Sequence, residues 1–476
     1  MSDVARDGST YRTTDVGYAL VSNDSWFRPV DIQIGPDGAI YVADFYEQRI
    51  DHGSHYQGRV DPGTGRIYRI APNDRAALAP VRMETADERI AALEHPNRTV
   101  RQIALARLFD EPDSVDPQRL RRFVSAEVGA RAIDLYWGLE AIGDATRDDR
   151  LAALSHPDPI VRTWAVRLAA DAPDQVDPIL LAAIVERASI EEEVQVRSQI
   201  ASSARRLAVP VRLELIDRLV RRDLDADDKH LPLLLWWAIE KSCGEAPREV
   251  VELATRSAFA ETETARTTLL PRIMRRFVTT GRRHDLLVAA DLLAGTSDPD
   301  IAARLLEGFD AAVAGRPPLA LPESLARQLL RFRGDSLELK VLLGDVAAID
   351  EARRIIRDES AESALRLRLI EGLAARRSDD DRPLWLALLG SSESGAIRSA
   401  AIGALASLTA DEIGPRLIEA WRGLGDDERL VAQTALASRA NWAAQLIDAV
   451  EQGTIGRDEI VPDTVRRIRA RTRQRR

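Results

Sequence analysis

The stretch ALEHPNRTVRQIALARL at residues 92–108 returns as ALSHPDPIVRTWAVRLA at residues 153–169. Both copies place His-Pro before a polar turn, continue with Val-Arg, and then space Ala and Leu at helical intervals. Their arginines, Arg101 and Arg162, lie 61 residues apart, which is about two periods of a repeat in the thirties. We interpret His-Pro as a turn element and do not expect either histidine to be a ligand.

Weaker copies of the same pattern surround three further arginines. Arg197 follows Arg162 by 35 residues, and Arg398 follows Arg366 by 32 residues. A period of this length built from pairs of helices is typical of an α-solenoid. We therefore predict a mainly α chain with a HEAT/armadillo-like α-solenoid over residues 84–476. Each arginine is expected to reach an acidic residue or a helix end of the neighbouring repeat.

The opening of the chain has a different pattern, best seen in RPVDIQIGPDGAIYVADFYEQRI at residues 28–50. Apolar and polar residues alternate in VDIQIG, PDG is a turn signal, and AIYVADF reads as the returning strand. With one strand before this hairpin and one after it, we predict about four short antiparallel strands, the last blade of a β-propeller, over residues 1–75. The apolar face of this sheet is expected to comprise Val30, Ile32, Ile34, Ile40 and Val42.

Composition excludes several classes of protein. The net charge of −10 is spread along the 476 residues, so no nucleic-acid-binding surface is expected. The sequence has no run of about 18 apolar residues, so we expect no membrane span. Cys243 is the only cysteine, which excludes an intramolecular disulfide and a multi-thiolate metal site. The apolar residues are mostly small or aliphatic, and we expect Ala104 and Ala165 at equivalent close contacts between helices.

Three stretches resemble one known family. They are DGSTYRTTDVGYALVSNDSWFRPVDIQIGPDGAIYVADFYEQRIDH with the YQGRVDPGTGRIYRI that follows, HLPLLLWWAIE at residues 230–240, and ASRANWAAQLIDAVEQGTI at residues 437–455. The first resembles the end of the propeller in the membrane-bound dehydrogenase-like proteins of planctomycetes and their relatives. The other two are similar to stretches of that family's helical region.

The resemblance implies a specific architecture. Family members have a quinoprotein-like sugar-dehydrogenase propeller, then HEAT repeats, and usually a c-type cytochrome with a Cys-x-x-Cys-His haem site. This chain has no Cys-x-x-Cys-His and lacks the upstream blades, so it is expected to be an inner slice of that architecture. No cofactor is expected in the chain as given, whereas a complete propeller would hold a quinone and calcium. The family is exported to the periplasm or cell surface, but the amino terminus shows no signal peptide, so localisation stays unassigned.

The densest polar cluster in the sequence lies in the predicted blade and its following loop. Its candidate ligand-binding residues are Asp44, Arg49, Asp51, His52, His55 and Arg59. Aspartate and histidine at the mouth of a propeller can bind a cation or act as acid and base. Alternatively, the two aspartates hydrogen-bond to turn backbone and the two arginines pair with them. The family's active site draws on several blades, so no catalytic residue is assigned.

A second candidate site follows an acidic loop, DLDADDKH, in the helical part. Trp236 and Trp237 are candidate partner-binding residues, because an exposed tryptophan favours a groove for a peptide or protein. The alternative is that both cover the solenoid core. The loop itself lacks the glycine and terminal glutamate of an EF-hand, so we expect a solvated connection between helices.

Two functions remain. The first is a non-catalytic HEAT-repeat scaffold or protein-interaction module that binds a protein partner or the missing propeller part. The alternative is a subunit of a quinone-dependent sugar or alcohol dehydrogenase whose other blades are on another chain.

Overall fold

The structure is a computed structural model that describes residues 1–47, 53, 63–73, 79–112, 115–122, 129–172, 176–314, 321–334, 336–390 and 393–473. Within these ranges the chain forms five strands followed by twenty-five α-helices. The predicted class is confirmed: the fold is mainly α, an α-solenoid preceded by a small antiparallel β segment. No helix in the described ranges is both long enough and apolar enough to cross a membrane. The chain divides into two compact units, 1–246 with 261–269, and 247–260 with 270–476.

The β segment contains two sheets, whereas we predicted about four strands in a single sheet. The strands are β1 (Ser2–Asp7), β2 (Thr10–Asp15), β3 (Pro29–Ile34), β4 (Ile40–Asp44) and β5 (Arg66–Ile70). β1 and β2 form a separate hairpin, and β3, β4 and β5 form a three-stranded antiparallel meander. The predicted PDG turn joins β3 to β4 and pairs Ile32 with Val42 and Ile34 with Ile40. Gly38 has φ of 79°, a conformation that glycine adopts without steric cost.

The predicted apolar face of this sheet is only partly covered. Val42 is buried, but Val30, Ile32 and Ile34 on the edge strand are 54–59% exposed. Side-chain hydrogen bonds occupy two polar groups of this edge strand's backbone. The Asp31 carboxylate accepts from the Ile32 N–H at 2.8 Å, and the Thr99 hydroxyl donates to the Ile34 carbonyl. Occupied backbone groups cannot template another strand, so the edge is protected at these positions although its side chains are exposed.

Each sheet is attached to a different part of the first unit. The meander lies against the start of the second helix, where the Asn97 side chain donates to the Gly35 carbonyl at 2.7 Å. The hairpin is held about a hundred residues further along the chain, through a set of polar contacts. Its contacts are Arg6–Glu193, Tyr11–Gln195, Asp7–Lys229 and Ser9–Asp228. The hairpin is therefore attached well beyond the first helices of the solenoid.

The first unit consists of helices in consecutive pairs. They are α1 (Ala86–Ala92), α2 (Arg98–Asp110), α3 (Pro117–Leu120), α4 (Ala130–Ala141), α5 (Arg147–Leu154), α6 (Pro159–Ala169), α7 (Pro178–Ile190), α8 (Val194–Ala204), α9 (Val209–Val220) and α10 (Leu231–Glu245). The even-numbered helices pack one on the next, and α5, α7 and α9 pack in a parallel row. A π-helical turn at Ala265–Leu269 also belongs to this unit. Two layers of helices that contact mainly their neighbours are the arrangement expected of a solenoid.

The second unit repeats the same scheme. Its helices are α11 (Pro247–Ala254), α12 (Ser257–Ala260), α13 (Leu270–Thr279), α14 (Arg283–Ala294), α15 (Pro299–Val313), α16 (Glu323–Arg333), α17 (Leu337–Leu343), α18 (Val346–Arg357), α19 (Ser363–Ala375), α20 (Arg382–Leu389), α21 (Gly395–Ala406), α22 (Ile413–Ala420), α23 (Asp426–Leu436), α24 (Ala440–Glu451) and α25 (Pro462–Arg473). In one layer α17, α19, α21 and α23 pack in series, and in the other α20, α22 and α24 do so. Each odd-numbered helix from α17 to α21 thus contacts the corresponding helix one repeat later.

The five arginines of the sequence repeat form buried or half-buried ion pairs with the next repeat. Each lies four residues after the N-cap of its helix, so its side chain starts from an equivalent position every time. The pairs are Arg101–Asp134, Arg162–Glu191, Arg197–Asp225, Arg366–Glu393 and Arg398–Glu428. The predicted reach to an acidic residue of the neighbouring repeat is therefore confirmed. We call these five pairs the arginine ladder.

The His-Pro turns belong to the same construction. His95 Nδ1 accepts from the Asn97 N–H at 3.0 Å, and His156 Nδ1 accepts from the Asp158 N–H at 3.0 Å. The ladder arginine then donates to the carbonyl oxygens of both residues of the His-Pro pair, at 2.8–3.0 Å. His-Pro thus forms a turn, as predicted, and the structure adds that each turn is fixed by its own imidazole and by the arginine that follows it.

Candidate partner-binding surface

The candidate surface centres on α10, an apolar helix of the first unit. Its first turn is capped by Asp228, whose carboxylate accepts from the backbone N–H groups of His230 and Leu231 at 3.0 and 2.9 Å. Leu235, Ile239 and Cys243 point into the core and are buried. The opposite side of the helix carries a row at i, i+3 and i+7, formed by Leu234, Trp237 and Lys241. Because Leu235, Ile239 and Cys243 are held in the core, Leu234, Trp237 and Lys241 face away from it.

The two tryptophans of α10 have different environments. Trp236 is half-buried, whereas Trp237 is 47% exposed. Trp237 lines a cavity of about 520 Å³ between α8 and α10. The lining residues are Ser202, Arg205, Arg206, Leu234, Trp237 and Lys241. We call this cavity the Trp237 pocket. The sequence-based alternative that both tryptophans cover the core applies in part to Trp236 and does not hold for Trp237.

The charged residues of the Trp237 pocket are all basic. Arg206 pairs with Asp171 at 2.7 Å, and both side chains are about half-exposed. Lys241 lies 3.7 Å from Glu245 and donates to the Arg205 carbonyl at 3.2 Å. Arg205 forms no ion pair with any residue in the described ranges. The pocket therefore combines an aromatic surface with three cationic side chains.

Glu245 is shared between Lys241 of the pocket and a buried arginine. Arg212, on α9, donates to Glu245 at 2.7 Å and to the Ser242 hydroxyl at 3.0 Å. The hydrogen bond from Arg212 is the main cause that lowers the pKa of Glu245. Glu245 thus pairs closely with Arg212 across α9 and α10 and more distantly with Lys241.

A second aromatic cluster lies on neighbouring helices of the same layer. Trp137 on α4 meets Trp164 on α6 edge to face, with ring centroids 4.6 Å apart. The guanidinium of Arg167 lies 4.8 Å from the centre of the Trp164 ring, in cation–π geometry. Tryptophan and arginine are enriched where proteins bind other proteins. α4 and α6 of this layer thus carry a half-buried tryptophan pair with one arginine beside it.

The chemistry this surface supports is binding. An exposed indole offers a large flat apolar contact, and guanidinium and ammonium groups offer charge-assisted hydrogen bonds to carboxylates. Among the residues that the structure describes, no group of three His, Cys, Asp or Glu side chains is placed to hold a metal ion.

Of the six predicted ligand-binding residues in the β segment, only Asp44 lies within the described residues. Asp44 is buried; its Oδ1 accepts from the backbone N–H groups of Arg28 and Tyr46 at 2.7 and 2.9 Å. This is the turn-backbone role that we gave as the alternative reading. Asp44 Oδ2 is buried and has no hydrogen-bond partner in the described part of the chain. The other five candidates, Arg49, Asp51, His52, His55 and Arg59, lie outside the described residues.

The acidic loop before α10 is largely exposed, as expected of a connection between helices, but three of its aspartates make contacts with other elements. Asp225 is buried against Arg197, and Asp228 accepts from the backbone and hydroxyl of Ser9 at 2.7 and 2.6 Å. Asp223 accepts from the backbone N–H groups of Glu263 and Thr264. The aspartates are thus used to join repeats and to hold the hairpin.

Sequence reasoning found Trp237 but missed its basic neighbours. Arg205 and Arg206 follow the end of α8, and only the packing of α8 on α10 brings them beside the indole. The spacing of residues 234, 237 and 241 was the available signal, since it places them on one side of a helix.

Comparisons with known proteins give a partial match. Residues 2–74 match a family described as a domain of unknown function, DUF7133. No curated protein matches the sequence. Among solved structures, the chain is similar to a homology model of the full-length AP-3 complex in an intermediate open conformation, at 12% identity over 81% of this chain and 79% of that one, with a TM-score of 0.27. It is also similar to a crystal structure of importin beta, at 12% identity over 81% of this chain and 52% of that one, with a TM-score of 0.18. TM-scores this low carry no argument about fold or function.

Proposed function

We propose that this protein is a non-catalytic helical-repeat scaffold that binds a protein partner through the Trp237 pocket. The observation that carries the proposal is the half-exposed indole of Trp237 in a cavity of about 520 Å³ with three basic side chains. The proposal is supported by the combination in this pocket, where the indole of Trp237 and the side chain of Leu234 form an apolar surface beside cationic groups, a composition typical of contacts between proteins. The two-layer stack provides a rigid support for such a contact.

The finer assignment is also a proposal. The repeats are of the HEAT type, and the chain corresponds to the last propeller blade and the helical repeats of a dehydrogenase-like protein. The exposed row of Val30, Ile32 and Ile34 supports this origin, since a neighbouring blade would cover such a row.

The alternative is a subunit of a quinone-dependent sugar or alcohol dehydrogenase. The unpartnered Asp44 Oδ2 is the one observation that favours it. Calcium takes about six to eight oxygen ligands, and one carboxylate oxygen among the described residues does not supply them. Calcium titration by calorimetry with a quinone present tests this alternative, and binding that is lost in Asp44→Asn would support it.

Site-specific photo-crosslinking tests the scaffold proposal. A benzophenone amino acid replaces Trp237 in one variant and Phe109 in the matched control, because Phe109 is another exposed aromatic side chain in the same unit. We expect one discrete protein to crosslink at position 237 and not at position 109, and to copurify reciprocally with the unmodified chain.

Two results would contradict the proposal. Equal crosslinking at both positions would show that contacts at position 237 are nonspecific. Absence of any crosslinked protein at position 237 in cells that express the chain would show that the Trp237 pocket is not a protein-binding surface.

A further inference from the structure

We infer that the partner presents an acidic segment with an aromatic or long aliphatic side chain that packs on Trp237. This inference rests on the proposed function and specifies the chemistry of its partner. Two features of the Trp237 pocket carry it: its charge and the shape of its apolar floor.

Charge is the first feature. The pocket has Arg205, Arg206 and Lys241; Asp171 pairs with Arg206, and Glu245 is shared between Lys241 and buried Arg212. On a chain with a net charge of −10, this is a local reversal of sign. A basic segment would be repelled here, whereas carboxylates can accept hydrogen bonds from Arg205 without displacing an existing partner.

The apolar floor is the second feature. The indole of Trp237 and the side chain of Leu234 lie on one side of α10, with the basic groups around them. An apolar anchor surrounded by complementary charge is the usual composition of a strong contact between proteins. The pocket therefore selects an anchor residue flanked by Asp or Glu.

Selection from a random peptide library tests this inference. Phage displaying 12-residue peptides are selected on the full-length protein, in parallel with three variants. Trp237→Ala removes the apolar surface, and the double variant Arg205→Glu with Lys241→Glu reverses the charge. The control, Arg304→Glu with Arg327→Glu, reverses two exposed arginines elsewhere, each beside its own glutamate. Circular dichroism verifies that all variants are folded.

We expect the wild-type protein and the control to enrich peptides with a central Phe, Tyr, Trp or Leu flanked by Asp or Glu. The affinity of the enriched peptide, measured by fluorescence anisotropy, should fall by about tenfold or more in Trp237→Ala, as is typical of a hot-spot residue. The charge-reversed variant should show a similar loss, and the affinity for the wild-type protein should fall as salt is raised.

The contrary outcomes separate the two proposals. If enriched peptides depend on Trp237 but are neutral or basic, the pocket binds protein and the acidic assignment is wrong. If no enriched peptide depends on Trp237, both the assignment and the proposed binding surface fail. If sedimentation shows that the chain associates with a second copy through this pocket, the occupant is the protein itself and the inference is overturned.

Discussion

Replacing Arg197 with methionine tests the energetic role of the arginine ladder at one of its two most buried pairs. The Arg197 side chain is 6% exposed and that of Asp225 is 5% exposed. Arg197 donates to both carboxylate oxygens, at 2.8 and 2.5 Å, and to the carbonyl oxygens of Glu191 and Glu192 at 3.2 and 2.7 Å. Methionine fills much of the same space and makes none of these bonds.

The expected loss of stability in Arg197→Met comes from the buried Asp225 carboxylate, which is left without its partner. A buried carboxylate without its partner destabilises a protein by about 3–5 kcal/mol. That corresponds to opening of α8 and α10 that is about 100-fold to several thousand-fold more frequent. Hydrogen exchange measured by mass spectrometry, under conditions where it reports local opening, gives this factor for each helix.

Two further variants make the test specific. Arg206→Met removes an ion pair of similar length whose side chains are 54% and 51% exposed, so its cost should be within about 1 kcal/mol. Arg197→Met combined with Asp225→Asn should recover most of the loss, because no buried charge is left unpaired. Equal, small effects of Arg197→Met and Arg206→Met would refute the reasoning that the ladder holds neighbouring repeats together.

Three other predictions follow from packing and charge. Ala104→Leu and Ala165→Leu should each destabilise the chain by about 1–3 kcal/mol, seen as a lower melting temperature, because both alanines are fully buried between helices; unchanged melting in both would show that the repeat register is wrong. Gly308→Ala should destabilise the second unit, because its Cβ would lie 2.0 Å from the Pro271 carbonyl oxygen. Gly403→Ala has open space around the new Cβ and should be neutral or stabilising by about 0.5–1 kcal/mol. Equal melting temperatures of the two variants would contradict this. The hairpin should detach in acid before the helices unfold. Lys229 lowers the pKa of Asp7; burial raises the pKa of Asp228, but hydrogen bonds from Ser9 and from the backbone of Leu231 and His230 outweigh it and leave that pKa lowered. The stabilisation from these two carboxylates is therefore present above the ordinary carboxyl pKa and is lost as the pH falls through the lowered pKa values. Hydrogen-exchange protection of residues 2–15, corrected for intrinsic rates, should therefore fall before that of the helices. Simultaneous loss of protection across the first unit would contradict this.

The helical part could be predicted from the sequence because its contacts are local and periodic. A helix in this fold contacts mainly the helix one repeat away, so residues that make the contact recur at the repeat spacing. The 61 residues between Arg101 and Arg162 correspond to two repeats, with α4 lying between α2 and α6. The acidic partners of the ladder arginines were harder to predict, because they do not occupy one position in the repeat. Asp134 lies in a helix, whereas Asp225 lies in a connecting loop.

The β segment was predicted less completely, because alternation identifies strands but not which strands pair. The strand at Thr10–Asp15 pairs with Ser2–Asp7 rather than with the meander, and nothing in the local pattern distinguishes these partners. Contacts such as Ser9–Asp228 join residues more than two hundred positions apart and leave no periodic signal. The Trp237 pocket was predicted only in part. Its tryptophan could be identified in the sequence, but Arg205 comes close to it only because α8 packs on α10.

The most direct test of the central claim is the affinity of the protein recovered by crosslinking at position 237. Its equilibrium binding should be measured by calorimetry against the wild-type chain, Trp237→Ala and the control Phe109→Ala. We predict that Trp237→Ala weakens binding by about tenfold or more, or about 1.4 kcal/mol or more, while Phe109→Ala leaves the affinity unchanged. Equal affinity for the wild-type chain and Trp237→Ala would contradict the claim that this scaffold binds its partner through the Trp237 pocket.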